Sequence, residues 1–306
     1  MLSPIEEIIT QLADSSKPLL NSSLADLSNI TTEKLNSLKE VWPTIESQRR
    51  RQIVSRLVEL AEDNFELDFD SIFKNCLSDQ DAEVRSKAIE GLWENEEPSL
   101  IHTLIAIMEQ DNSKLVQAAA ATGLGKFTTL AAQKKLRPAY TLKIYRALLA
   151  VIDDRNKPAE VRRRALEAIA PLDSPEVEKA IGEAYRSSNR TLRVSAIYAM
   201  GRNGNPSWLS IILDEAGSPD TEIRYEVARA CGELGEEEAV PCLINLAADP
   251  DIEIQLAAIE ALGQTGGTEA KNFLEQCLDA SNEVVQQAAE QALNELQAEG
   301  EDSPPF

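Results

Sequence analysis

Residues 220–235 read DTEIRYEVARACGELG, and 31 positions further on residues 251–266 read DIEIQLAAIEALGQTG. Counting from Ile223 or Ile254, small or apolar residues occupy offsets 0, 4, 7 and 8, which at about 100° per residue fall on one side of a helix. The same pattern can be written from Val84, Val116, Val161, Leu192, Ile223, Ile254 and Val285, at spacings of 32, 45, 31, 31, 31 and 31. Such regularity marks an internal repeat, and its length suits a helical hairpin that buries its apolar face only by stacking on its neighbours.

Working outward, each pattern is preceded by a second amphipathic run: FDSIFKNCLSD, SLIHTLIAIMEQD, TLKIYRALLAVIDD, VEKAIGEAYRS, WLSIILDEAG, VPCLINLAAD and AKNFLEQCLD. These are the first helices of the predicted hairpins. Pro98, Pro175 and Pro206 stand where first helices begin, a position that needs no backbone N–H. Asp81, Asp111, Asp220, Asp251 and Asn282 separate the runs and are expected to turn the chain or cap the second helix. Gly201, Gly232 and Gly263 close three patterns and read as glycines just past a helix end.

The turn Asp, the apolar–Arg pair, the following Ala and the terminal Ala-Leu-Gly, most complete in the two stretches quoted above, resemble the HEAT-repeat superfamily, including its short PBS-lyase HEAT-like type, over about residues 67–296. The resemblance implies an all-α, right-handed α-solenoid of about seven hairpins. It is weak as to function, because such repeats build scaffolds, adaptors and chromophore-lyase subunits. It also implies a ladder of Asp and Arg along the stack. Arg85, Arg162, Arg193 and Arg224 match the Arg position, whereas Gln117, Gln255 and Gln286 depart from it, so three broken rungs are expected.

Residues 1–66 hold helical runs without the pattern and read as an N-terminal cap over the open end of the core. Within it, QRRRQ at 48–52 is expected on a solvated helix face. The excess spacing between Val116 and Val161 points to a loop insertion or lengthened helix around 128–143, inside the 67–296 repeat region. Residues 297–306 are acidic and Pro-containing, and read as a flexible tail.

The 306 residues carry 30 Lys+Arg against 52 Asp+Glu, a net charge of −22. Aromatics are 5 % and apolar residues 43 %, a balance that favours helices with an ample core. Charge is uneven: residues 1–125 are net −11, 126–202 net +8 and 203–306 net −19. The basic middle invites a nucleic-acid reading, but the acidic flanks would repel a polyanion; pairing within the protein, or with an acidic partner, is expected instead. No apolar run is long enough to span a membrane and the N-terminal residues do not read as a secretory leader, so a cytoplasmic protein is expected.

Catalytic chemistry finds no purchase. Cys76, Cys231, Cys242 and Cys277 are scattered in apolar segments and read as small buried hydrophobes. His102 is the single histidine and reads as a surface residue. No phosphate-binding glycine loop is present. No catalytic, metal or cofactor site is therefore assigned, and a non-catalytic scaffold for a protein or peptide partner is the expected function, with a bilin-lyase-like subunit as the alternative. In the second helices, offsets 2 and 6 lie opposite the core and form parallel rows, expected to line the inner face of the solenoid through which a partner binds. From the third to the sixth pattern they read Arg163 and Glu167, Val194 and Tyr198, Tyr225 and Arg229, Leu256 and Glu260. Arg163, Val194, Tyr198, Tyr225, Arg229 and Leu256 are the expected partner contacts, because aromatic and Arg side chains concentrate at binding hot spots. Trp93, at offset 9 of the first pattern, reads as a packing residue.

Overall fold

The computed structural model describes residues 10–301, in two compact units divided between Ala168 and Ile169. Among the described residues every regular element is a helix, and none is long and apolar enough to cross a membrane. In the first unit, α1 (Asn21–Ala25), α2 (Thr32–Val41) and α3 (Ser47–Asp63) lead into the pairs α4 (Asp70–Cys76) with α5 (Ala82–Gly91) and α6 (Pro98–Gln110) with α7 (Lys114–Ala132), then α8 (Pro138–Asp153). Helix α9 (Ala159–Ile169) reaches the division. The second unit holds α10 (Pro175–Tyr185) with α11 (Arg190–Asn203), α12 (Leu209–Asp214) with α13 (Thr221–Leu234), α14 (Val240–Leu246) with α15 (Ile252–Thr265), and α16 (Gly267–Cys277) with α17 (Glu283–Glu301). Second helices stack on one another: α3 on α5 and α5 on α7 in the first unit, and α11, α13, α15 and α17 in order in the second.

The predicted periodicity describes the core. Ile254, Ala258, Ala261 and Leu262 of α15 are buried, as are Ile223, Val227, Ala230 and Cys231 of α13. Each large side chain of this set contributes about 1.5–3 kcal/mol by leaving water. Pro98 and Pro175 open α6 and α10, and Pro206 opens a short 3-10 turn before α12. Asp81, Asp220 and Asp251 cap α5, α13 and α15 by accepting backbone N–H bonds from Glu83, Glu222 and Glu253. Asp111 stands two residues too early to cap: Ser113 is the N-cap of α7, and Asp111 accepts the Ser113 N–H in the turn before it.

Two expectations are corrected. Gly201, Gly232 and Gly263 do not end their helices but lie buried inside them; the glycines past the ends are Gly204 and Gly235, at φ +70° and +67°. The internal glycines serve close approach. A Cβ on Gly201 would stand 2.6 Å from Ala230 Cα, and Gly232 and Gly263 press in the same way on Ala261 and Ala292. Offset 9 of one second helix thus meets offset 7 of the next, and only Gly against Ala lets the backbones come that near.

Two of the three arginines of QRRRQ are not solvated, while Arg51 is half-exposed and pairs with Asp81 and Glu83. Arg49 and Arg50 are 5 % and 7 % exposed. Arg49 donates to the Leu12 and Lys17 carbonyls, and Arg50 to the Ile45 carbonyl and the Asp79 carboxylate. At Gln117, Gln255 and Gln286 the rung to the next Asp is missing among the described residues, but half of the arginine arrangement is kept. Arg85 and Arg224 each donate to the carbonyl six residues back and reach the Asp of the next turn, Asp111 and Asp249. Gln117, Gln255 and Gln286 keep the first half of that arrangement, donating to the carbonyls of Asp111, Asp249 and Ala280 at 2.5, 2.6 and 2.7 Å.

The added length after Val116 is a lengthened helix, since α7 runs to Ala132 and Lys134 turns the chain at φ +60° before α8. At the C-terminus α17 continues through Glu301; the remaining residues of the expected tail, and residues 1–9 of the expected cap, lie outside the described residues.

Candidate functional site

A cavity of about 830 Å³ opens in the first unit among α3, α5 and α7. Its floor is apolar, formed by Val58, Phe69, Phe73, Ile89 and Ala118, with Phe69 and Phe73 in edge-to-face contact at 6.3 Å. Ser86 and Glu90, and Ala118 and Thr122, line it; these are offsets 2 and 6 of the first and second patterns, the rows identified from sequence but read there in later repeats. Above the floor stand large apolar side chains in water: Phe65 is 93 % exposed, Trp93 48 % and Leu115 47 %.

The cavity has a local cause. Helix α5 stops at Gly91, where α11, α13 and α15 run several residues further past the equivalent point. The first pattern carries Gly at offset 7 and Trp at offset 9, the reverse of the arrangement that closes the second unit. At Gly91 the Phe73 ring fills the space a Cβ would need, 2.6 Å away. The chain then turns through residues 92–95 and places Trp93 at the rim, so the expectation that Trp93 is a packing residue is replaced by a half-exposed one. Lys126 fixes this turn by donating to the Leu92, Trp93 and Asn95 carbonyls. Burial pushes its ammonium down to about 8, against the pull of Glu94, Glu96 and Asp70.

The residues expected to contact a partner fall in different surroundings. In the second unit, the Arg229 guanidinium lies over both Tyr198 and Tyr225, 5.4 and 5.9 Å from the ring centres, and pairs with Glu226 at 3.7 Å. Tyr198, Tyr225, Arg229 and Leu256 are all partly exposed. Val194 is 6 % exposed and packs in the core. In the first unit Arg163 is engaged on its own helix by Glu160 and Glu167, at 2.5 and 3.1 Å.

Part of the basic middle segment is engaged within the protein. Arg190 bonds Asp220 and Glu222, Arg193 bonds Glu215, Arg202 bonds Glu233, and Lys157 donates to the Met108 and Glu109 carbonyls. His102 is exposed, 3.3 Å from Lys143 Nζ and edge-on to Tyr140. Cys76 and Cys231 are buried, and Cys242 and Cys277 partly so. Burial raises the Cys76 and Cys277 thiols.

Comparison with known proteins accords with this architecture. The family model for HEAT repeats matches residues 70–144 and 208–294, together more than half of the chain. Comparison with curated proteins returns no match. Among solved structures, the complex of CpcE and CpcF of phycocyanin lyase from Nostoc sp. PCC7120 is similar at TM-score 0.55 and 14 % identity, over 92 % of this chain and 97 % of that one. Importin beta is similar at TM-score 0.50 and 14 % identity, over 95 % of this chain and 44 % of that one. At these identities the likeness is one of fold.

Proposed function

Because this chain belongs to the HEAT-repeat family, we propose that it is a non-catalytic scaffold that binds a protein partner across the row of second-helix residues opposite the core, the inner face of the solenoid. The observation that carries this reading is the cavity in the first unit, where Trp93, Phe65 and Leu115 stand exposed around an apolar floor. Exposed large apolar residues gathered at one place, with a Trp among them, are what an interaction site needs before its partner arrives. The Tyr198, Tyr225, Arg229 and Leu256 row of the second unit offers a further contact. Its stacked guanidinium and rings are held in place before binding, which lowers the ordering cost of an encounter.

Affinity capture from native lysate with wild type, Trp93→Ser/Leu115→Ser and Tyr198→Ala/Arg229→Glu tests the scaffold reading. A specific protein retained by wild type and lost from either variant supports it, and identical captures from all three overturn it. The alternative of a bilin-handling subunit predicts a visible absorbance shift on mixing with a free bilin. The rim carboxylates of the cavity disfavour it, since bilin propionates are anionic and Arg164, the one cation lining the cavity among the described residues, is already paired.

A further inference from the structure

Carboxylates predominate at the rim of this cavity, where Arg164 is the one lining cation among the described residues. Glu62, Asp68, Glu90 and Glu94 border it, and Glu62, Glu90 and Glu94 are exposed. The Arg164 guanidinium is taken by Glu160 at 3.4 Å and Glu167 at 2.8 Å. Lys87 is paired with Glu90 at 2.6 Å. Among the described residues Glu62 and Glu94 have no ion pair, so the rim keeps a surplus of negative charge around an apolar floor. An acidic rim beside low-dielectric walls attracts cations and repels anions well beyond contact distance.

We propose that this cavity docks a basic peptide segment of a partner protein, with one large aliphatic or aromatic side chain seated between Trp93 and Phe73 and flanking Lys or Arg residues on the rim carboxylates. The proposal rests on the scaffold reading above and adds the chemistry of the occupant. The floor supplies the apolar contact area, while the rim selects the sign of the flanking charge. Lys126 holds the turn that carries Trp93, so the aromatic wall is positioned before binding, which reduces the entropy lost on association. About 830 Å³ lies within the roughly 300–1,000 Å³ range of sites that enclose drug-sized groups, room for an anchor and its neighbouring backbone. Small anionic ligands are disfavoured by the same carboxylates.

A phage-displayed random-peptide library selected on the full chain, with counter-selection on Trp93→Ser, tests the proposal. Enriched peptides are then synthesised and titrated against wild type, Trp93→Ser and a Glu62→Gln/Glu90→Gln/Glu94→Gln variant, each checked for folding by circular dichroism. The three glutamines replace exposed side chains, so this variant keeps the test open if Trp93→Ser misfolds. Expected are peptides with Lys or Arg on both sides of Leu, Ile, Phe or Trp. They bind each variant about tenfold or more weakly, a loss of about 1.4 kcal/mol or more, and wild-type binding weakens as salt rises. Cavity-dependent enrichment of acidic or neutral peptides would overturn the basic occupant and leave the scaffold reading standing. Absence of any cavity-dependent enrichment would remove both the proposal and the cavity as support for a scaffold. Sedimentation that shows wild type self-associating and Trp93→Ser monomeric would overturn it in favour of a second copy of this chain.

Discussion

Arg224 grips Asp249 with two nitrogens, Nε to Oδ2 at 2.7 Å and Nη2 to Oδ1 at 3.0 Å, while its third nitrogen donates to the Ser218 carbonyl at 2.8 Å. One side chain therefore closes its own turn and ties it to the next, 25 residues on. Asp249 in turn accepts the Asp251 N–H, so the guanidinium also steadies the residue that caps α15.

The two halves of that arrangement are separable by substitution. Arg224→Gln reproduces what Gln255 does naturally and keeps a donor for the Ser218 carbonyl, so a loss of about 1 kcal/mol is expected. Both variants leave Asp249 without its cation, and Arg224→Ala in addition removes the donor to the Ser218 carbonyl, with an expected loss of about 2–3 kcal/mol. Urea unfolding that finds equal losses would show that the carbonyl bond contributes nothing.

Acid should loosen the same ties. Arg224 holds the Asp249 carboxyl below the usual carboxylate range, Arg190 does so for Asp220 and Arg51 for Asp81. For Asp111, burial works upward but is outweighed by the bonds from Arg85 and the Ser113 N–H. Each depressed carboxylate stabilises the fold fully above its unfolded value of about 3.9, and the contribution is lost as pH falls through the lower folded value. Stability measured by urea titration is expected to fall below about pH 4, and Asp249→Asn is expected to flatten that fall.

Lys126 shifts in the other sense. With its ammonium pushed down to about 8 by burial, the unfolded chain binds more protons than the folded one between there and the ordinary lysine value near 10.4, so this group adds stability as pH rises across that window. Wild type is therefore expected to gain stability relative to Lys126→Met from about pH 8 to 10. The same variant leaves the Leu92, Trp93 and Asn95 carbonyls without their shared donor, and hydrogen exchange should quicken at residues 92–95. Unchanged exchange there would mean that Lys126 does not hold the rim.

Glycines of two kinds should respond differently. Gly201→Ala forces a methyl group against Ala230 backbone and is expected to cost about 1–3 kcal/mol. Gly204→Asn adds a side chain where nothing lies within 4 Å, and Asn tolerates left-handed backbone, so its cost should be smaller. Thermal unfolding that ranks them the other way would contradict the packing role given to Gly201.

The repeat was legible in the sequence because its apolar spacing recurs seven times, and offsets 0, 4, 7 and 8 are the buried positions of α13 and α15. What escaped was chemistry that needs a neighbour. Gly201 and Gly204 are equally plausible stops until Ala230 is placed beside the first. Arg49 and Arg50 read as solvated because a charge alone is costly to bury, yet guanidinium groups can spend their donors on carbonyls such as those of Leu12 and Ile45. The cavity had a signal in the missing Ala-Leu-Gly of the first pattern, where the chain reads GLWENE from Gly91. Its consequence appears only when α3, α5 and α7 stand together.

The pairing of Gly201 with Ala230, repeated by Gly232 with Ala261, makes the second unit divisible. Excising residues 223–253 would remove Arg224 and Asp249 together and bring Gly201 onto Ala261, the same residue types at the same helix positions. The join would repeat the glycine–alanine crossing and strand no charge of that ion pair, although Arg202 would meet Gln264 where Glu233 stood and Tyr198 would meet Glu260 where Arg229 stood. Chain length in this unit can accordingly change by whole hairpins through duplication or loss, while the first unit, with Trp93 in place of the crossing glycine, has no such interchangeable seam at its cavity.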